Sequence, residues 1–244
     1  MSELFTCKHE VDTYSCDTNQ IIKGSGILQM CQECGRKQMD FHRPSFNDLL
    51  AEGKAWMLSR LDMVAYDEIH LGEVLDLATW ACESSRATFL RMYQAKRGDK
   101  VVAEISSQWV LVDYESRKLL KVTDVDISNY YIGEYHEVIG DKFRVPKETV
   151  FEEVGKKEIM YSDLDTNGHM NNTYYLDVIS NYVPELCAGT HRVQSARMYF
   201  IKEAPFGEVL TVTRSKIDEG KYIFRTIKAD GEKNIDAEIT VVPV

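Results

Sequence analysis

The sequence predicts an α+β chain built twice over, each copy an antiparallel sheet wrapped around a long helix. Three observations carry this. Runs of branched and aromatic residues recur at every second position, most plainly Val101, Ala103, Ile105, Ser107, Trp109 and Leu111, which predicts strands with one buried face. Two other stretches, one carrying Ile27, Met30, Cys31 and Cys34 and one over 174–183, have apolar residues at helical spacing. Short motifs also recur in the same order and context: Asp17-Thr18-Asn19 returns as Asp165-Thr166-Asn167, 148 residues on, and Gly72-Glu73-Val74-Leu75 as Gly207-Glu208-Val209-Leu210, 135 residues on. The offsets differ by 13 residues, the room that a short extra helix and its loop after Phe41 would take.

Taken in order, residues 8–16 read as a strand ending in Asp17-Thr18-Asn19. Gly24-Ser25-Gly26 then opens the first helix with Ser25 as its N-cap, and Pro44-Ser45 opens a second short one closed by Gly53. Strands follow at 56–66, 74–80, 87–94, 101–113 and 118–122, separated by turn signals such as Gly72 and Arg97-Gly98-Asp99. Residues 123–150 hold no sustained period and read as a crossover packed through Tyr130, Tyr131 and Tyr135. The pattern then restarts, with a strand at 158–161, the polar stretch 163–172, and a helix over 173–183 stopped by Pro184. Strands at 194–201, 208–217, 221–228 and 235–242 complete it, the last two joined by Asp230-Gly231. The domain limits this implies are 1–122, a linker at 123–152, and 153–244.

A sheet that twists strongly can wrap the helix whose apolar face it must cover. That is the construction of a hot-dog fold, here a tandem or double one, with a wide sheet, helices on one side and a cleft between the halves.

Composition narrows the function. The net charge of −10 argues against nucleic acid and anionic membranes as partners. The candidate basic clusters, Lys96, Arg97 and Lys100, then Arg117, Lys118 and Lys121, then Lys156 with Lys157, read as scattered solvated charge. No apolar run approaches the ~20 residues of a membrane span, and residues 1–10 resemble neither a secretory signal nor a transit peptide, so the expectation is a cytoplasmic protein. Of six cysteines only Cys31 and Cys34 form a C-x-x-C pair, read as reduced thiols on one apolar helix face, and no cofactor or metal is called for.

The chemistry concentrates in Asp163-Leu-Asp-Thr-Asn-Gly-His-Met-Asn-Asn172. Asp and Asn before an apolar run usually cap a helix, but a cap accounts for one residue and not for Asp165, Asn167 and His169 together. Aligned on the repeat, His169 falls on Ile21 and Glu203 on Glu68, so the first half keeps acids and lacks the histidine. One active site, in the second half, follows. Thioester hydrolysis needs a polarised carbonyl, an activated water or carboxylate nucleophile, and a proton relay. Asp165 and Glu203 offer carboxylates, Asn167 and His169 hydrogen bonds, and the helix start after Asn171 backbone donors. No G-x-S-x-G serine or cysteine–histidine motif points to an acyl-enzyme.

Over nearly its whole length the chain resembles the acyl-acyl carrier protein thioesterases, the double hot-dog enzymes of plant plastids and bacteria. The likeness rests on Trp56-Met-Leu-Ser-Arg60-Leu, on the Gly72 segment leading to Thr79-Trp80, and above all on Tyr161 to Tyr174. It implies hydrolysis of fatty acyl-acyl carrier protein, with Asp165, Asn167, His169 and Glu203 as the catalytic set and acyl carrier protein as the partner. Plant members commonly carry cysteine after that glutamate; here Ala204 stands there, which removes a cysteine nucleophile. The absence of a transit segment points to the bacterial branch. Whether Asp165 attacks directly or activates water, which acyl chain is preferred, and whether two chains pair as a homodimer stay open. Met30, Met57, Met63 and Trp80 are candidates for the acyl pocket. The rivals are a hot-dog acyl-coenzyme A thioesterase, a hot-dog hydratase and a catalytically silent acyl-binding protein.

Overall fold

The computed structural model describes residues 3–140 and 143–244; residues 141 and 142 of the linker and the first two residues lie outside that description. The first half comprises β1 (Phe5–Glu10), α1 (Gly24–His42), α2 (Phe46–Ala51), β2 (Lys54–Ala65), β3 (Val74–Cys82), β4 (Phe89–Arg97) and β5 (Lys100–Asp113). A short β6 (Ile132–Gly133) lies in the crossover. The second half comprises β7 (Glu152–Glu158), α3 (Tyr174–Ser180), α4 (Pro184–Cys187), β8 (His191–Phe200), β9 (Val209–Asp218), β10 (Lys221–Ile227) and β11 (Lys233–Pro243).

The strands form one sheet in the order β1-β3-β4-β5-β2-β8-β11-β10-β9-β7, with β6 pairing parallel to β3. Read from the centre outward the order is the same on both sides, as a twofold repeat requires. The halves join by antiparallel pairing of β2 with β8, from Arg60 opposite Tyr199 to Val64 opposite Ser195. Backbone bonds repeat at the two offsets: Asp17 N–H donates to Ile21 O (2.8 Å) and Asp165 N–H to His169 O (2.9 Å), while Ile22 N–H donates to Ile69 O (2.8 Å) and Met170 N–H to Ala204 O (2.9 Å). The internal repeat read from two short motifs is thus a repeat of structure.

One core spans both halves. It gathers Ile27, Leu28, Met30, Cys31 and Cys34 of α1, Leu61 and Met63 of β2, Leu176 and Ile179 of α3, and Ala196 and Met198 of β8. The Ile, Leu and Met side chains among them each contribute roughly 1.5–3 kcal/mol when fully buried, so the junction is part of the main core. The start of α1 touches α3 directly: a Cβ on Gly24 would lie 2.7 Å from Leu176 Cδ2. Only a residue without a side chain permits that approach. Burial pushes the Cys31 thiol up to about 12 and raises that of Cys34, so both stay protonated in the core, as the apolar-face reading expects.

Several sequence expectations need correction. The first strand ends at Glu10, and a 3₁₀ turn at Thr13–Ser15 replaces its predicted continuation. Ser25 does not cap α1; it lies inside the first turn and its hydroxyl donates to Asp177 Oδ1 of α3, tying the halves together. Ser45 does cap α2, in a capping box with Asp48. The strand expected at 118–122 is reduced to a single bridge between Val112 and Leu119, because the chain leaves the sheet at the Asp113 turn. Pro184 does not merely stop the helix; it opens α4 at a position where a missing N–H costs nothing. In the crossover Tyr130 is buried and Tyr135 half-buried, whereas Tyr131 is exposed.

On the sheet face away from α1, Asp62 of β2 lies opposite Arg197 of β8, their side chains 3.4 Å apart. Arg197 also donates to Ile139 O of the crossover (2.9 Å), and Arg60, Tyr135, Glu137 and Tyr199 face the same space. Burial outweighs Arg197 and raises the Asp62 carboxyl to about 6. An unfolded Asp titrates near 3.9, so the folded chain holds this proton more tightly, and the stabilisation is full below about pH 4 and lost as pH rises through about 6, by about 3 kcal/mol. Urea unfolding should therefore find the wild type losing about that much relative to Asp62→Asn between pH 4 and pH 7. A pH-independent difference between the two chains would contradict this.

Candidate active site

The cleft lies where the halves meet. With a cavity volume of about 90 Å³ and a mouth open to solvent, it is lined from the second half by Asp165, Asn167, His169, Met170, Asn172, Tyr175 and the stretch from Phe200 to Glu203. The first half contributes Ala55, Trp56, Met57, Leu58 and Arg117. All four residues singled out in the sequence face it. Of the four candidates for the acyl pocket, Met57 lines it, while Met30, Met63 and Trp80 are buried in the cores.

The turn that carries three of the four is closed by Asp165, whose Oδ1 accepts the Asn167 N–H (2.8 Å). Gly168 follows with φ of 79°, a left-handed conformation that glycine adopts without strain, and the chain turns back so that His169 bridges to Pro205. Asp165 Oδ2 has no protein partner among the described residues. Asn167 Oδ1 is buried with no donor among the described residues.

Glu203 comes from the loop after β8, 34 residues beyond His169 in the chain. His169 Nε2 lies 3.0 Å from Glu203 Oε2. A carboxylate only accepts, so Nε2 carries the hydrogen of this contact. The other carboxylate oxygen, Oε1, lies 3.5 Å from Arg117 of the first half. Arg117 sits at the end of a tight turn with φ of 57°, its guanidinium over the Tyr114 ring. In the sequence it reads as solvated charge and no local signal reveals it, since the contact exists only once the halves pair.

The helix start offers less than its sequence suggests. α3 has seven residues, and Asn171 already accepts from the Thr173 N–H at Oδ1 (2.9 Å) and from the Tyr174 N–H at its carbonyl (3.0 Å). Those amides are not free to stabilise an oxyanion. Ala204, where a cysteine would stand, is fully buried in the core.

The first half repeats the turn without the site. Asp17 Oδ1 accepts from the N–H groups of Asn19 (2.8 Å) and Ile21 (3.0 Å), but the Asn19 side chain donates to Gly189 O of the second half (2.8 Å). Its amide is consumed in holding the halves together. Ile21 stands in place of the histidine, and Glu68 pairs instead with His70 at 3.4 Å, at the position of Pro205.

Comparison with known proteins gives the family of the chain. The acyl-ACP thioesterase N-terminal domain matches residues 2–131 and the acyl-ACP thioesterase C-terminal domain residues 148–241. The chain belongs to the acyl-ACP thioesterase family. Among curated members, oleoyl-acyl carrier protein thioesterase 1 of Arabidopsis thaliana, a chloroplastic protein, is 25% identical over 86% of this chain and 64% of its own length. The corresponding protein of Coriandrum sativum is 22% identical over 72% of this chain and 51% of its own. The chain thus spans between about half and two thirds of the length of these relatives. In fold it matches the crystal structure of an acyl-ACP thioesterase from Bacteroides thetaiotaomicron, with a TM-score of 0.87 at 20% identity over 98% of both chains. It also matches the 12:0-ACP thioesterase from Umbellularia californica, with a TM-score of 0.82 at 14% identity over 99% and 98%. The tandem hot-dog architecture is therefore that of the family. Among the described residues no helix is long and apolar enough to cross a membrane.

Proposed function

We propose that the chain hydrolyses the thioester of fatty acyl-acyl carrier protein, releasing a free fatty acid and holo-acyl carrier protein. The observation that supports this most is the convergence of Asp165, Asn167, His169 and Glu203 on one cleft between the halves of a chain of this family. In this reading 153–244 carries the chemistry and 1–122 supplies the apolar wall, Trp56, Met57 and Leu58, along which the acyl chain enters; 123–152 connects them.

Water is the nucleophile. Asp165, anchored through Oδ1, accepts one water proton at Oδ2, and the buried Asn167 Oδ1 accepts the other O–H, so that two acceptors orient one donor molecule. The water oxygen bonds to the thioester carbon and the carbon–sulfur bond breaks. The proton held by Asp165 reaches the departing sulfur through His169, whose ring Glu203 holds in place. An acid and a thiol leave, and the site returns to its starting state.

A panel of saturated acyl chains from short to long, each presented on acyl carrier protein and on coenzyme A, tests the reading by thiol release. Hydrolysis of the carrier-protein thioester at a kcat/KM at least about tenfold above that of the coenzyme A thioester is expected. Equal rates would favour the acyl-coenzyme A reading, and no thiol release from either would leave an acyl-binding protein. Consumption of an enoyl chain without thiol release would point to the hydratase.

A further inference from the structure

The Thr173 and Tyr174 amides are already bonded to Asn171, and the cleft offers the developing oxyanion another donor. Tyr175 is 2% exposed overall, yet it lines the cavity. Its hydroxyl oxygen accepts from Asn234 Nδ2 (3.1 Å), and Asn234, itself fully buried, is held by Thr226, which donates to Asn234 Oδ1 (2.7 Å). Asn234 Nδ2 also donates to Lys202 O, on the loop that carries Glu203. The phenol oxygen is thus fixed from behind by a buried polar chain, while its own hydrogen has no acceptor among the described residues.

A buried O–H without an acceptor is costly, and such groups are rarely left so. Neither Asp165 nor Glu203 is hydrogen-bonded to it, although both carboxylates, after burial, help to push the phenol up to about 12. The group therefore stays a neutral donor across the working range of pH. Tyr175 lines the same cleft as Asp165, and its ring packs edge-on against Phe200.

We propose that the Tyr175 hydroxyl is a catalytic residue of this site, donating to the thioester carbonyl oxygen as it becomes an oxyanion. The inference rests on the thioesterase reading and names the electrophilic half of that machinery. A preorganised donor of this kind acts on the transition state more than on bound substrate, so its loss should fall on kcat rather than KM.

Tyr175→Phe tests this, assayed on acyl carrier protein carrying the chain the wild type hydrolyses best. The kcat is expected to fall about 10²-fold, with KM within about twofold of the wild type and the melting temperature little changed. A variant whose kcat stays within about twofold of the wild type overturns the proposal while leaving the thioesterase reading intact; an inactive wild type overturns both. If Tyr175→Phe does not fold, Thr226→Val carries the test, since it loosens Asn234 and with it the phenol while Tyr175 remains. A reduced kcat at unchanged KM supports the role, and unchanged kcat overturns it.

Discussion

Asp165→Asn should lower kcat for acyl-acyl carrier protein hydrolysis by about 10³-fold while leaving the melting temperature close to that of the wild type, because it removes a base and little else. Asparagine keeps the oxygen that accepts the Asn167 N–H, so the turn carrying Asn167 and His169 stays closed. Only the charge and the proton-accepting oxygen are lost. Asp165→Ala would be a less clean probe, since it also removes that hydrogen bond, worth about 1 kcal/mol, and loosens the turn. Steady-state rates with thermal unfolding on the same samples separate the two effects. A rate within about tenfold of the wild type for a folded Asp165→Asn chain would mean that some other group activates the water.

His169→Ala and Glu203→Gln form the second pair of expectations. The 3.0 Å contact between them joins one relay, so each single substitution should cost about 10²-fold in kcat. The double variant should be little worse than the worse single one, because groups that act as a unit are lost together. Multiplicative losses would show that the two act independently. Glu203 also faces Arg117 at 3.5 Å, with side chains 31% and 36% exposed. An ion pair that open to solvent is worth little by itself, so the weight of Glu203 should lie in its contact with His169.

Much of this site was legible in the sequence, and the reasons are particular. Asp165, Asn167 and His169 fall within five positions of one turn, so local spacing alone places them together. Glu203 was reachable because the repeat aligned it with Glu68, and the repeat could be read because both halves preserve the turn and the Gly-Glu-Val-Leu stretch. The fold followed from the same repeat together with strand alternation. What could not be read depends on pairing or on which hydrogen bonds are already used. Arg117 meets Glu203 only across the junction of the halves. The amides of Thr173 and Tyr174 look free in a sequence but are taken by Asn171. Tyr175 reads as a helix core residue, which it is; its hydroxyl matters only because Asn234, 59 residues on, holds it from behind.

The two copies of the turn have different work, one chemical and the other structural. The first-half turn keeps its Asp and Asn, but Asn19 is spent on Gly189 O and Ile21 fills the histidine position. Its work is to hold the second half in register. Asn167, freed from that task, keeps a buried acceptor in the cleft.

The most direct test of a single site in the second half sets matched substitutions side by side, with the initial rate of acyl-acyl carrier protein hydrolysis measured for Asp17→Asn and for Asp165→Asn. A rate within about twofold of the wild type for Asp17→Asn, with a loss of about 10³-fold for Asp165→Asn, is the predicted result. Comparable losses from the two, or a loss confined to Asp17→Asn, would contradict it.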